Sequence, residues 1–304
     1  MDGIINIYKE RGYTSHDVVA KARGILRIKK IGHTGTLDPE AEGVLPICIG
    51  KATKAADLLT NKDKRYVATV SLGVTTTTED ASGEILETRP VNATKEQIEE
   101  AVSSFIGSYM QVPPMYSALK VKGKKLYELA RQGIVIERKS REVTIYECQI
   151  TDFISPMEFV IDVKCSKGTY IRTLCTDIGE YLGCGAHMKS LVRTQVGDFD
   201  ISNSLTLSQL ESLKEADNVE SCLVETDKLF LHLPELHVKP SGNKYLYNGN
   251  HLKEDMMIEM VSIDLHKQVR IYDANKVFIG IYNMKQLDNS IYFFPEKIFL
   301  SSNI

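Results

Sequence analysis

Between residues 31 and 50 the chain reads IGHTGTLDPEAEGVLPICIG, centred on the carboxylate of Asp38 between Leu37 and Pro39. Gly32, Gly35 and Gly43 free the backbone for tight turns or close approach to a ligand, while Pro39 and Pro46 stiffen it and turn the residue before each away from helix. This pattern presents a carboxylate on a rigid loop; the plainer alternative is a buried turn whose Asp bonds backbone amides. A phosphate-binding P-loop is excluded, because Ala52 follows Gly50-Lys51 and Leu45 stands at the first glycine position. Zinc-dependent base deamination is excluded too, since His33-Thr34-Gly35 lacks the glutamate and no C-x-x-C occurs. Cys184-Gly185-Ala186-His187 has half a zinc spacing and no second half nearby, so no metal site is expected.

A second feature is electrostatic. Net charge is −3, yet residues 116–141 hold eight basic residues against two acids, interleaved with Tyr116 and Tyr127, while 79–100 hold seven acids against two bases. Taken alone, such separation describes solvated faces; a basic strip accompanying a carboxylate loop points to a polyanion.

The elements that must position the loop alternate irregularly between strand and helix. Gly3–Tyr8 reads as a strand, and Ser15 is expected to cap a helix whose Val18, Ala22, Ile25 and Leu26 share a face. Val44–Ile49 is a short apolar strand, and Arg65–Leu72 shows period-two alternation rich in branched residues. Thr94 with Gln97 forms a capping-box signal for a helix bearing Ile98, Ala101, Val102 and Phe105. A short helix near Leu126–Arg131 closes at Gly133; strands are expected at Val143–Ile150 and Phe159–Cys165, then a helix after Gly168 carrying Leu174, Ile178 and Leu182. Without regular βαβ repetition, this predicts an α+β fold with a mixed, largely antiparallel sheet flanked by helices. Character changes near Leu233-Pro234. Short strands at Met257–Ile263, Val269–Tyr272, Val277–Tyr282 and Ile291–Phe294, with a hairpin turn at Asp273-Ala274-Asn275, predict a small β-barrel. The expected domains are 1–235 and 236–304.

Hydrophobic content of 43% and charged content of 25% are those of a globular protein, and no apolar run reaches membrane-spanning length. Charges interrupt MDGIINIYKERG, so it does not read as a signal peptide, and six scattered Cys imply a reduced cytoplasm.

GHTGTLDPEAEGVLPICIG closely resembles the catalytic signature of the TruB family, the bacterial tRNA pseudouridine-55 synthases. Further matches are KRYVATVSLG (64–73), PPMYSALKVKGKKLYELARQG (113–133) and CSKGTYIRTLCTDIGEYLGCGAH (165–187), so the resemblance covers residues 3–210 and weakens beyond. It implies isomerisation of a uridine in the T-loop of tRNA, without cofactor, metal or obligatory protein partner, by a monomer. By resemblance Asp38 is the catalytic carboxylate, attacking C1′ of the ribose or taking the C2′ proton. Arg172 matches its partner, expected to hold the Asp38 pKa low. Tyr66 matches the aromatic that stacks on the base, with Tyr170 and Leu191, read as a helical leucine, shaping the pocket. His33 matches the residue that fills the space of the extruded nucleotide. Lys9 aligns with a D-K-P segment whose flanking residues differ here, and is placed with the substrate contacts. Thr77 stands where many relatives have an acid, although Asp80 is retained. Lys120, Lys122, Lys124 and Lys125 would grip phosphates. The LYNGNHL segment (246–252) and its position make the C-terminal part similar to the PUA domain, an RNA-binding appendage. Two rival readings are a tRNA-folding chaperone with an incidental pocket and a guide-RNA-dependent relative.

Overall fold

The computed structural model describes residues 1–121, 123–259 and 267–300; Lys122 and most of the expected strand Met257–Ile263 lie outside them. One large sheet organises the first two-thirds of the chain. Its strands are β1 (Gly3–Lys9), β2 (Glu42–Ile49), β3 (Lys64–Leu72), β4 (Gly107–Gln111), β5 (Arg141–Ser155), β6 (Glu158–Cys165) and β7 (Ala186–Val196). Spatial order is β1-β2-β7-β3-β6-β5-β4, with Ile31–His33 added beside β2 and Phe199–Asp200 beside β7. Only β2 and β7 run parallel along this path, so the sheet is mixed and largely antiparallel as expected.

The hydrophobic pattern explains the layers. In β3 alternate residues are buried from Lys64 to Leu72, placing Tyr66, Ala68 and Val70 on one face. Among the described residues four helices of eight or more residues cover the sheet: α1 (Ser15–Leu26), α2 (Lys95–Ser104), α3 (Ile171–Tyr181) and α4 (Leu207–Glu215). Val18, Val19, Ala22 and Leu26 of α1 pack with Leu207 and Leu210 of α4 on Ile5, Ile7, Leu45 and Ile47. Ile171, Leu174, Cys175 and Ile178 of α3 join Ile98, Ala101 and Val102 of α2 over β3, β5 and β6. The capping box at Thr94 and Gln97 is present, a device worth about 1 kcal/mol.

Two local expectations are corrected. The N-cap of α1 is Thr14, in a reciprocal box with Asp17, and not Ser15; the Ser15 hydroxyl instead accepts from the Leu37 amide at 2.9 Å. Leu191 lies on strand β7, not on a helix.

The C-terminal part forms a separate five-stranded sheet in the order Glu235–His237, Gln268–Tyr272, Phe278–Leu287, Ser290–Ile298, Leu252–Lys253. It has its own core around Val238, Leu246, Val269, Tyr282 and Phe293, a half-barrel consistent with a PUA-like domain. Asp273 makes the expected turn, its carboxylate accepting from the Asn275 and Val277 amides at 2.8 Å each. Ala55, Phe230, Ile281 and Phe299 join this sheet to the larger body, with Lys297 paired to Asp57 at 2.6 Å. Among the described residues no helix is long and apolar enough to cross a membrane.

Candidate active site

Between Ile31–His33 and β2 the chain makes a turn at Asp38, closed by the Ala41 amide donating to the Asp38 carbonyl at 3.1 Å. Buried polar side chains hold it from several directions. Ser15 fixes Leu37 from helix α1. Lys9, fully buried, donates through Nζ to the Pro39 carbonyl at 3.0 Å and to the Ala41 carbonyl. On the other flank Arg193, 1% exposed, donates from Nε to the Val44 carbonyl at 2.7 Å, and its outer nitrogens reach toward the carbonyls of Thr36 and Gly35 at 3.5 Å. Gly43, with φ of +104°, permits this closeness, since a Cβ there would run into the Arg193 backbone. The glycine thus serves approach of protein to protein rather than of a ligand. Among the described ion pairs neither Lys9 nor Arg193 has a carboxylate partner, so backbone carbonyls satisfy these buried cations.

Arg172 enters from the first turn of α3. Its Nε meets Asp38 Oδ2 at 3.0 Å. Nη1 donates to the Thr78 carbonyl at 3.0 Å and lies 3.7 Å from Asp80 Oδ2, while Nη2 donates to the Tyr116 carbonyl at 2.7 Å. All three nitrogens are therefore engaged, and a single guanidinium links the carboxylate loop, the 77–82 loop and the start of the basic strip. Asp80 is held in turn by the Thr78 and Ser82 hydroxyls at 2.7 and 2.6 Å.

The direction of the Asp38 shift is opposite to expectation. Burial pushes its carboxyl up; Arg172 pulls it down, Asp80 pushes it up and Lys9 pulls it down, with a net upward shift. The guanidinium restrains the rise rather than producing a low value. The Asp38 side chain keeps 39% of its surface open while Arg172 keeps 5%, so water in the open cleft screens the effect and an occupant would strengthen it. Lys9 is lowered to about 8, foremost by burial.

Asp38, Asp80, Ala81, Ser82, Met188 and Leu191 line a pocket of about 100 Å³. Tyr66 is not among the lining residues; it sits in the core cluster with Leu37 and Leu191, 9% exposed, raised to about 12 by burial and facing the Arg193 guanidinium from the adjacent strand. Tyr170 starts α3 two residues before Arg172; its amide donates to Gln111 at 2.8 Å and Arg141 stacks over its ring at 4.9 Å. His33 is not among the lining residues; it packs edge-on against His16 at 5.1 Å, and burial lowers its pKa. Lys120 and Lys124 stand exposed on a two-stranded hairpin, with Lys125 half-buried over Tyr127 at 5.3 Å. A larger groove of about 560 Å³ lies elsewhere, lined by Arg89, Gln97, Tyr181 and Cys184 among others. Its Arg89 is paired with Glu87 and Glu180 at 2.6 and 2.8 Å.

Arg193 and the roles of Thr78 and Tyr116 escape a reading of motifs, because the first is a lone strand arginine and the others act through carbonyls. Asp80 stood in the acidic segment as a retained residue, but its approach to Arg172 is a tertiary fact.

Residues 23–171 match the model of the TruB family pseudouridylate synthase N-terminal domain, and residues 172–231 that of the tRNA pseudouridylate synthase B C-terminal domain. The tRNA pseudouridine synthase B of Lachnoclostridium phytofermentans is 52% identical over 313 residues, covering 99% of this chain and 100% of the relative. That of Clostridioides difficile is 43% identical over 303 residues, covering 99% and 100%. Among solved structures, a chain from an H/ACA ribonucleoprotein bound to a substrate RNA containing 2′-deoxyuridine superposes with a TM-score of 0.72 at 26% identity, covering 99% of this chain and 86% of that one. Matched along nearly its whole length by such relatives, the chain belongs to the TruB family of pseudouridylate synthases.

Proposed function

We propose that the protein isomerises uridine to pseudouridine at position 55, in the T-loop of tRNA, with Asp38 as the catalytic carboxylate. The observation that carries this reading is the 3.0 Å contact between Arg172 Nε and Asp38 Oδ2 at the edge of a pocket, with the carboxylate open on its cleft side. The reaction breaks the bond from uracil N1 to the ribose, turns the base and rejoins it through C5. It requires a carboxylate aimed at the sugar and a confined space for the base. Both routes open to Asp38, attack at C1′ and removal of the C2′ proton, need its ionised form, which Arg172 favours against burial.

Arg172 orients Asp38; Leu191 shapes the pocket wall, with Tyr66 and Tyr170 bounding the space for the base, and His33 fills the gap left by the extruded nucleotide. Lys9, expected among the substrate contacts, is buried against loop carbonyls and acts by holding the Asp38 loop in place. Lys120, Lys124 and Lys125, with Lys122 between them in sequence, grip phosphates. The catalytic unit spans 1–235 and the PUA-like unit 236–304 adds RNA affinity. The protein acts as a monomer without an obligatory partner in the reduced cytoplasm, in keeping with its six free cysteines.

Mass mapping of tRNA after incubation with the purified protein alone is expected to show one modified uridine, in the T-loop. An isolated T-arm hairpin is expected to suffice, because unstacked loop bases are open to extrusion. RNA that is bound and refolded but unmodified would overturn this reading in favour of a chaperone.

A further inference from the structure

Consecutive residues of α3 grip consecutive residues of the 77–82 loop. Arg172 Nη1 donates to the Thr78 carbonyl at 3.0 Å, Thr173 Oγ1 donates to Glu79 Oε2 at 2.6 Å, and Arg172 Nη1 stands 3.7 Å from Asp80 Oδ2. Glu79, between the two loop residues that touch Arg172, has φ of +64°, the left-handed region that favours glycine. A side chain held there needs a reason. Strand β7 already ties the backbone on both sides of the turn: the Met188 amide donates to the Glu79 carbonyl and the Ala81 amide to the Met188 carbonyl, each at 3.0 Å. The carboxylate is therefore not needed to attach the loop to the sheet. What it adds is a bond to the helix, one residue beyond the arginine that meets Asp38.

We propose that Glu79 is a positioning residue for the reaction: its bond to Thr173 locks the turn so that the Thr78 carbonyl and Asp80 hold the outer nitrogens of Arg172, leaving Nε aimed at Asp38. The inference rests on reading Asp38 as the catalytic carboxylate and Arg172 as its partner. Its surroundings fit a carboxylate under tension between neighbours. Burial pushes the Glu79 carboxyl up, the Thr173 hydroxyl, Arg172 and Arg138 pull it down, and Asp80 pushes it up. Asp177, further along the same helix, is raised to about 6 by burial and then by Glu79 and Glu180. Without the Thr173 bond, Glu79 faces Asp80 and Asp177 with less to hold it, and the turn that it anchors loosens around Arg172.

Glu79→Gly separates the side chain from the backbone, because glycine adopts this φ freely and the β7 contacts remain. The variant is expected to fold and melt as the wild type does. Its single-turnover rate on a T-arm hairpin at saturating protein is expected to fall about tenfold, the factor that removing a hydrogen bond to a charged group produces, with hairpin affinity unchanged. Thr173→Val is expected to show the same split between rate and affinity, and Thr173→Ser to restore the rate. A folded Glu79→Gly variant that turns over at the wild-type rate overturns the inference, as does a loss confined to affinity or stability. Should Thr173→Val fail to fold, the Glu79→Gly and Thr173→Ser rates decide alone. Absence of pseudouridine from the wild-type reaction would instead sink the reading on which the inference rests.

Discussion

Arg172 touches two regions that use positive charge in opposite ways. One is the Asp38 loop, where Lys9, Arg193 and Arg172 are 0%, 1% and 4% exposed and donate to protein carbonyls. The other is the basic strip, where Lys120 and Lys124 stand exposed on a hairpin above a small core of Met115, Leu126 and Leu129. In the loop, cations are consumed in fixing geometry, which preorganises a carboxylate before any ligand arrives. In the strip, charge is left available in water, where on the proposed reading it attracts the RNA backbone. On the proposed reading, local basicity marks recognition, whereas the cations that hold the reactive carboxylate are buried and form no basic cluster in the sequence.

The comparison breaks most severely if the loop cations do not govern chemistry. Arg172→Met is expected to lower the single-turnover rate by roughly 10²–10³, the cost of one preorganised charge contact. Because Arg172 pulls the Asp38 carboxyl down, the acid limb of the pH–rate profile should also move to higher pH in this variant. A rate profile like that of the wild type would separate Arg172 from the chemistry.

A smaller effect is expected in the strip. Replacing Lys124 and Lys125 by Ala should weaken tRNA binding and flatten its dependence on salt, by about 0.7–0.9 in log–log slope for each phosphate no longer neutralised. Titrations between low and physiological salt read this directly, and an unchanged slope would return the strip to a solvated face.

The smallest effect sharpens the description of Lys9. Its folded-state value of about 8 lies below the ordinary lysine value of 10.5, so between these the unfolded chain binds more protons than the folded one. Stability from this group therefore rises with pH across that window, by at most about 1.4 kcal/mol per pH unit. Lys64, also lowered to about 8 by burial, adds a similar rise. Lys9→Met should reduce the slope of unfolding free energy against pH in denaturant melts from pH 8 upward, and an equal slope would place Lys9 in contact with water.

Much of this arrangement was legible in the amino-acid pattern, where local rules suffice. The capping box at Thr94, the alternation of β3 and the turn at Asp273 depend on residues a few positions apart, and each formed as expected. Strand β7 is not legible in the pattern, which reads Leu191 as helical. Its pairing with β3 shifts register between Met188 and Ser190 and again between Arg193 and Gln195, so two irregularities interrupt the period-two signal. Ser15 looked like a cap because Thr14-Ser15 offers two hydroxyls side by side; the Asp17 box selects Thr14 and releases Ser15 for Leu37. At the site, motif resemblance found the two ends of the Asp38–Arg172 contact. The direction of the Asp38 shift escaped it, because desolvation and the nearness of Asp80 are properties of the folded pocket.

The central claim is tested most directly by Asp38→Asn, assayed for pseudouridine and for tRNA affinity on a variant shown to be folded. The change preserves size and removes the charge that attack or proton removal requires, and it leaves Arg172 without its carboxylate partner at Nε. The expected result is wild-type affinity for tRNA with no pseudouridine formed. A folded Asp38→Asn protein that converts uridine at a near-normal rate would contradict the account.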